Sequence, residues 1–395
     1  MRRLFGLHLL DNNFPALHGM RVIAIISVLQ IHVTIVLRRG NLIPPTNITA
    51  LSRNVFFGMD LFFILSGFLI GSILLYNYEN RTGVKGVARF YARRLFRTVP
   101  LYWFTLILLM IIPPLIFPAL AGRDVAAWRD FLYLTNYGHN IQQTSIAFWG
   151  WSLCVEEHFY LAVPVVMLAL MKISSSRGRL AILVGAWLAA FGLRMWIFFS
   201  HEGFWTKQEL FEQMYIPTHA RLDILIAGIF LAYIQRYHGK TIKRWIERRR
   251  VRAAGYTISL LCLMVLLYPR FFGRDFEPFL RVLGWGTITS IMYVPLVLIM
   301  INGKDLAHRF LGLPLFRRIA TLGYGIYLVH IPVCIPLVPL ARWAIYDLHL
   351  STTLIWAVTL TLLVLGSIAV SYVLHLIVER PMLTLRDKVA PSDRR

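Results

Sequence analysis

The sequence has little charge, and acidic charge is the scarcest part of it. Charged residues make up 15% of the 395 residues, with 19 Asp and Glu against 41 Lys and Arg, whereas about a quarter of the residues in soluble domains are charged. Hydrophobic residues reach 57%, and mean hydropathy is +0.62. This composition excludes an ordinary soluble domain and predicts a polytopic membrane protein.

Cysteine is also scarce. The three cysteines, Cys154, Cys262 and Cys334, lie in apolar runs at no spacing typical of metal ligands. Neither a disulfide framework nor a zinc site is supported, so no metal site is predicted. The sequence also lacks a loop long enough for a separate soluble domain and a repeat of fixed period. We therefore interpret residues 1–395 as a single membrane domain.

Ten apolar segments have about the length needed to cross a bilayer as a helix. They predict an all-α integral membrane protein, a polytopic bundle of about ten transmembrane helices. The segments lie at roughly 20–38, 55–76, 98–119, 149–171, 180–200, 219–237, 253–269, 279–301, 316–340 and 352–378.

Basic residues are concentrated in alternate loops. With the N-terminus in the cytoplasm, the basic tracts at 81–97 and 236–252 fall on the cytoplasmic side, as do 172–179 and 304–318. This is the positive-inside pattern, and it explains the net charge of +22 through topology and lipid contact, without nucleic acid. Both termini are then cytoplasmic, and residues 382–395 are expected to form a basic, disordered tail.

The first span carries two ionisable residues, Arg21 and His32, in an otherwise apolar run. Eleven helical steps return to within about 20° of the same face, roughly 16 Å further along the axis. Ionisable groups inside a span usually face a bundle interior or a water-filled cavity. Arg21 taken alone could equally be an anchor that reaches the membrane surface.

Other spans contain further polar residues. Any one of them could be a structural group that bonds across helices, and the adjacent carboxylates Glu156 and Glu157 could simply cap a helix start. Their number instead favours a central polar cavity in the bundle. On the cytoplasmic side, Arg94 and Arg97 lie three residues apart, which suits phosphate binding, although they also fit the positive-inside pattern. The remaining polar positions are Asp60, Arg221, Asp223 and His330.

Several segments together resemble the membrane-bound acyltransferase 3 family, ten-helix enzymes that acylate bacterial surface glycans and some natural products. Three departures are visible, because the family more often has Ser at Cys154, Gln at His158, and Asp-Gly where this chain reads His18-Gly19. The matching segments are His18 to Arg21 with His32, Phe57 to Ile70, Arg94 to Arg97 with Pro100, Trp151 to Leu161, Arg221 to Asp223, Tyr324 to His330, and Val378 to Pro381.

The resemblance implies an acyl-CoA co-substrate, with acetyl-CoA as the default, bound from the cytoplasm. Arg94 and Arg97 would hold its phosphates. His32 would act as the general base, oriented by Glu156 or Glu157, and Arg21 would stabilise negative charge. The acceptor would be the hydroxyl of a glycan, a glycolipid or a natural product, and the location would be the bacterial cytoplasmic membrane. No tightly bound cofactor is expected. Substrate-binding roles would fall to Asp60, Trp151, Arg221, Asp223, Tyr327 and His330.

Two alternatives stay open at this point. The first is a proton-coupled transporter or flippase, in which Arg21, His32, Glu156 and His330 form a pathway without covalent chemistry. The second keeps the enzyme but passes the acyl group through an acyl-His32 intermediate.

Overall fold

The computed structural model describes residues 6–43, 55–80, 82–116, 125–267 and 277–391, with the backbone alone at 113–116. Within these ranges the secondary structure is entirely helical. Eight helices are long and apolar enough to cross a membrane, or up to ten if each of two bent helix pairs is one span. The predicted fold class, an all-α polytopic membrane protein, is confirmed.

Each long helix overlaps one predicted span, although the helix at the predicted span 98–119 begins 15 residues earlier and the helix at 219–237 ends ten residues later. They are α1 (Pro15–Arg39), α2 (Gly58–Glu79), α3 (Gly83–Ile116), α4 (Trp151–Met171), α5 (Ser176–Ser200), α6 (Leu222–Glu247), α7 (Arg249–Leu267), α8 (Thr289–Asn302), α9 (Pro314–Cys334) and α10 (Thr352–Leu374).

The predicted spans at 219–237 and 316–340 are the two that correspond to bent pairs. The segment Lys207–Tyr215 meets Thr218–Glu247 at 77°, and α9 meets Leu337–Tyr346 at 47°. Pro336 lies in the second break, and a proline lacks the N–H that would continue the helical hydrogen bonds. The predicted span at 316–340 is therefore a helix that bends near its end rather than one straight element.

Small residues bring α2 and α6 into close contact. Gly67 and Gly71 on α2 face Gly228 and Ala232 on α6, and a methyl group added at Gly67 would overlap the carbonyl oxygen of Leu225. Small residues four apart let two helix backbones approach closely inside a membrane. This contact places Asp60, at the start of α2, beside the residues that begin α6.

The chain enters α8 through a broken helix. Glu277–Leu283 is helical, but Trp285 and Gly286 have non-helical backbone angles, with φ of +97° at Gly286. Only glycine adopts that angle readily. The Gly286 N–H donates to Oγ1 of Thr289 at 3.0 Å. The break points Trp285 and Thr287 into the bundle, where both are buried.

The C-terminal residues differ from the prediction. A disordered tail over 382–395 is wrong for residues up to 389, because Arg380–Val389 forms a helix, α11. Leu383 is 3% exposed, and the Arg93 guanidinium on α3 donates to the Ala390 carbonyl at 2.6 Å and to Asp387 at 3.1 Å. An apolar face and an anchoring arginine therefore hold this segment against the bundle. Residues 392–395 lie outside the described ranges.

Candidate active site

Two adjoining cavities open at the end of the bundle where His8, near the start of the described chain, meets Asp387 of α11. The larger, about 510 Å³, is lined by Phe14, His18 and Arg21 of the N-terminal region and by residues of α2 and α6. The smaller, about 200 Å³, shares Asp11, Ile73 and Tyr76 with it. Five arginines line the smaller cavity, namely Arg89, Arg93, Arg94, Arg97 and Arg386. The predicted phosphate-binding pair therefore lies in a wider basic basin.

A stripe of polar side chains on α4 leads away from this basin. Ser152, Glu156 and Tyr160 are four residues apart and share one face of the helix. The Arg94 guanidinium lies 5.1 Å from the Tyr160 ring centroid, and the Tyr160 hydroxyl donates to Glu156 Oε2 at 3.1 Å. Arg21 interacts electrostatically with both Arg94 and Glu156. The three side chains therefore form one charged cluster.

The other end of the stripe meets a pair of histidines. The Tyr327 hydroxyl donates to the carbonyl of Trp149 and lies 2.6 Å from Ser152 Oγ. His330, one turn further along α9, is fully buried, and its Nε2 lies 3.1 Å from Nδ1 of His32. His32 itself keeps some exposed surface. The structure thus brings His32, Tyr327 and His330 together.

The hydrogen-bond partners fix the tautomers of this pair. His330 Nδ1 lies 2.5 Å from the Tyr327 carbonyl and His32 Nδ1 lies 3.0 Å from the Val28 carbonyl. A carbonyl oxygen only accepts, so both Nδ1 atoms carry protons. The His32 Nδ1–H is then also directed at the lone pair of His330 Nε2. In neutral His32 this leaves Nε2 unprotonated, as a general base requires.

The expected orientation of His32 by a carboxylate is not observed. Among the described residues, neither Glu156 nor Glu157 forms a hydrogen bond with His32, and His330 takes that position instead. Glu156 accepts from Tyr160, and Glu157 lies near Thr98 and Arg94. The separation of about 100° between successive helical residues sends the two carboxylates to different surroundings.

Asp60 and Arg221, both predicted to bind substrate, form an ion pair that is completely buried. Thr289 Oγ1 of the broken helix donates to the second carboxylate oxygen of Asp60 at 2.8 Å. Both oxygens of Asp60 are therefore engaged within the protein. The Arg221 guanidinium lies 5.5 Å from the Phe63 ring and 4.9 Å from the Tyr215 ring.

Asp223 pairs with an arginine that the sequence analysis did not include. Arg194 of α5 donates to the two carboxylate oxygens of Asp223 at 3.1 and 2.6 Å and to the Ala220 carbonyl at 2.8 Å. Both side chains are fully buried, and Thr287 donates to Asp223 at 2.9 Å. This pair joins α5, α6 and the broken helix, which gives Asp223 a structural role. The signal was available, because Arg194 interrupts an apolar span.

Trp151 lies in an aromatic cluster rather than beside the histidine pair. Its ring centroid is 4.9 Å from that of Tyr215 and 6.2 Å from that of Phe63. Trp151 is nevertheless the residue next to Ser152, which contacts Tyr327. The aromatic cluster and the histidine pair therefore adjoin each other through the first turn of α4.

The sequence is similar to those of known acyltransferases. Residues 14–376 match the acyltransferase domain of the acyltransferase 3 family. The chain is 26% identical over 335 residues to a peptidoglycan O-acetyltransferase of Listeria monocytogenes, covering 81% of this chain and 49% of that protein. It is 24% identical over 338 residues to a Staphylococcus aureus protein that is named as an O-acetyltransferase. That alignment covers 81% of this chain and 50% of the relative.

The chain thus spans about half the length of these relatives. No solved structure matches it. The family match covers all ten long helices and includes Arg21, Arg94, Glu156 and the histidine pair, whereas Arg386 of the basic basin lies beyond it. The chain therefore belongs to the acyltransferase 3 family and is an integral, multi-pass membrane protein.

Proposed function

We propose that this protein moves an acetyl group from cytoplasmic acetyl-CoA to a hydroxyl of a saccharide on the opposite side of the membrane. Support comes from relatives named as O-acetyltransferases, one of them for peptidoglycan. The basic loops favour cytoplasmic termini in a bacterial cytoplasmic membrane. The arginine-lined cavities lie at the end where the near-terminal residues His8 and Asp387 meet, which is where a cytoplasmic donor would enter.

The donor would bind in the arginine basin. Acetyl-CoA carries several phosphate charges, and the planar guanidinium group donates two parallel hydrogen bonds to such oxygens. Arg94 and Arg97 would hold the phosphates, with the extended arm of the donor directed past Arg21. Because α1 is unbroken from Pro15 to Arg39, the geometry of an α-helix sets about 16 Å between Arg21 and His32 along the axis.

His32 would then act as the general base. Its Nε2 takes the proton from the acceptor hydroxyl while the hydroxyl oxygen attacks the thioester carbonyl. The C–S bond breaks, the acetyl ester forms, and the thiolate of CoA receives the proton from the imidazolium. His330 holds the ring through His32 Nδ1 and stabilises its protonated form. Arg21 would stabilise negative charge in the transition state.

The observation that carries this proposal is the His32–His330 contact, because it fixes the tautomer in which Nε2 of His32 is free to accept a proton. The test supplies isotope-labelled acetyl-CoA to inside-out vesicles and identifies the saccharide or lipid that gains mass by mass spectrometry. We expect transfer by the natural protein and none by H32A.

The matched control is H139A, since His139 is a histidine with 93% of its side chain exposed that lies 3.6 Å from Glu212 and takes no part in the histidine pair. It should retain full transfer. Transfer by H32A at the natural rate would contradict the role of the base, and absence of transfer by the natural protein with any acyl-CoA would contradict the donor.

A further inference from the structure

Five aromatic residues form a cluster around Tyr215, called here the Tyr215 cluster: Phe56, Phe63, Trp151, Tyr215 and Trp285. The Tyr215 ring centroid lies 4.9 Å from Trp151, 4.9 Å from Trp285 and 6.4 Å from Phe56. Phe56 and Tyr215 are only partly buried. The cluster therefore reaches the protein surface at Phe56 and Tyr215, whereas its other rings lie inside.

Buried hydrogen-bond donors without partners lie against this cluster. Trp285 is 7% exposed and Arg221 is 0% exposed, yet the indole Nε1 and the guanidinium Nε and Nη1 find no hydrogen-bond partner in the part of the chain that the structure describes. Leaving such a donor unpaired in a buried place costs about 1–3 kcal/mol. Three unpaired donors around one aromatic residue indicate a site whose acceptor atoms come from a ligand.

The surrounding protein keeps these donors in place. Asp60 engages only Nη2 of Arg221 and balances its charge. The positive φ of Gly286 turns the backbone directly after Trp285, and Thr289 ties that turn to Asp60. The broken helix and the buried ion pair thus present the indole and the guanidinium to the same aromatic ring.

We propose that the Tyr215 cluster binds the saccharide acceptor, an inference that rests on the proposed function. Aromatic faces carry negative charge density and attract the C–H bonds of a pyranose ring. The three donors match hydroxyl and N-acetyl oxygens. Because Asp60 neutralises Arg221, the site suits a neutral sugar. Trp151 of the cluster is followed by Ser152, whose hydroxyl lies 2.6 Å from that of Tyr327, so a sugar bound at the cluster would lie close to the histidine pair.

The test substitutes Trp285→Phe in the full-length protein, which keeps a six-membered aromatic ring and removes the Nε1 donor together with the rest of the five-membered ring. Binding of the neutral N-acetylglucosamine tetramer is measured by calorimetry. We expect Kd to rise about three- to tenfold, the range for loss of one hydrogen bond, and the acceptor KM to rise in parallel. The donor KM should stay unchanged, because the arginine basin lies at the other end of the bundle.

A stability measurement separates this role from a structural one. Within the described residues the Trp285 Nε1 has no partner, so W285F loses no internal hydrogen bond and should unfold only a few degrees below the natural protein, because the smaller ring leaves a small void. Trp196→Phe is the matched control, because Trp196 is 67% exposed on α5, and it should bind the tetramer normally. Phe56→Leu, at the surface opening of the cluster, provides a second variant that should weaken binding.

Equal Kd values for W285F, F56L and the natural protein would overturn the proposal, as would a natural protein that gives no binding of the tetramer at millimolar concentration. A failure of the proposed acetyl transfer alone would give a different result from a failure of sugar binding. The natural protein would then bind the tetramer through Trp285 while no acetyl group is transferred from acetyl-CoA to any acceptor.

Discussion

The buried pair Arg194–Asp223 gives the clearest test of the distinction between a structural and a substrate-binding acid. Replacing Arg194 by Met keeps much of the side-chain volume but removes the donors to Asp223, Thr287 and the Ala220 carbonyl. Asp223 then stays fully buried without its cation. Removing one partner of a buried ion pair costs about 3–5 kcal/mol. A loss of 1 kcal/mol lowers the unfolding temperature of a large domain by about 2 °C, at the low end of the range. We therefore expect the unfolding temperature of R194M to be about 6–10 °C lower than that of the natural protein.

The chain offers a convenient assay for this shift. Cys154 and Cys334 are buried, so a thiol-reactive fluorescent dye reports unfolding of the purified protein as the temperature rises. Arg236→Met is the matched control, because its ion pair with Glu79 is 47% and 28% exposed. Exposed pairs contribute about 0–1 kcal/mol, and this variant should unfold within about 2 °C of the natural protein.

The double variant R194M/D223N removes both charges and should recover most of the lost stability. No charged carboxylate is then left buried without a cation. An unfolding temperature for R194M equal to that of the natural protein would refute the structural role of the pair. The same conclusion would follow if R194M/D223N were no more stable than R194M alone.

Three further predictions address the donor site, the histidine pair and the broken helix. R94A/R97A should raise the KM for acetyl-CoA at least about tenfold with a smaller change in kcat, because charge-assisted hydrogen bonds to phosphate contribute about 1.5–3 kcal/mol each; an unchanged donor KM would leave these arginines with a role in topology alone. His330→Ala should lower kcat about 10²-fold at unchanged donor KM, since His32 keeps only the Val28 carbonyl as a partner of its Nδ1–H and loses the imidazole that stabilises its protonated form; unaltered kcat would show that the ring needs no such partner. Gly286→Ala should lower the unfolding temperature by several degrees, because φ of +97° is strained for alanine and its methyl would overlap the Asp223 carboxylate; an unaffected protein would mean that the turn relaxes easily.

Much of the membrane topology is predictable from the sequence, because span length and hydropathy depend on local composition. The ten predicted segments correspond to the helices of the structure, including the two bent pairs. The C-terminal residues were harder to predict. Their composition is polar and basic, and only the contacts of Leu383 and Arg93 with the rest of the fold explain why α11 is ordered.

The sequence predicted several residues of the candidate site but not which of them contact each other. Arg21 and His32 were identifiable because charge in an apolar run is costly, and Arg94 because it lies three residues from Arg97 in a basic tract. Which groups pair could not be read, since pairing depends on how distant helices pack. Either Glu156 or Glu157 was expected to orient His32, and the structure places His330 there instead. Trp285 was missed because a buried tryptophan in an apolar segment gives no signal until the backbone break at Gly286 is known.

The close contact between α2 and α6 has a consequence for how substrates enter. With Gly67, Gly71 and Gly228 leaving no space between the two backbones, sliding or separation of these helices would open a void and lose dispersion contacts along their whole length. We expect α2 and α6 to move as one rigid body throughout the reaction cycle. Any widening that admits the donor from one side and the acceptor from the other would then come from the surrounding helices, pivoting on this pair.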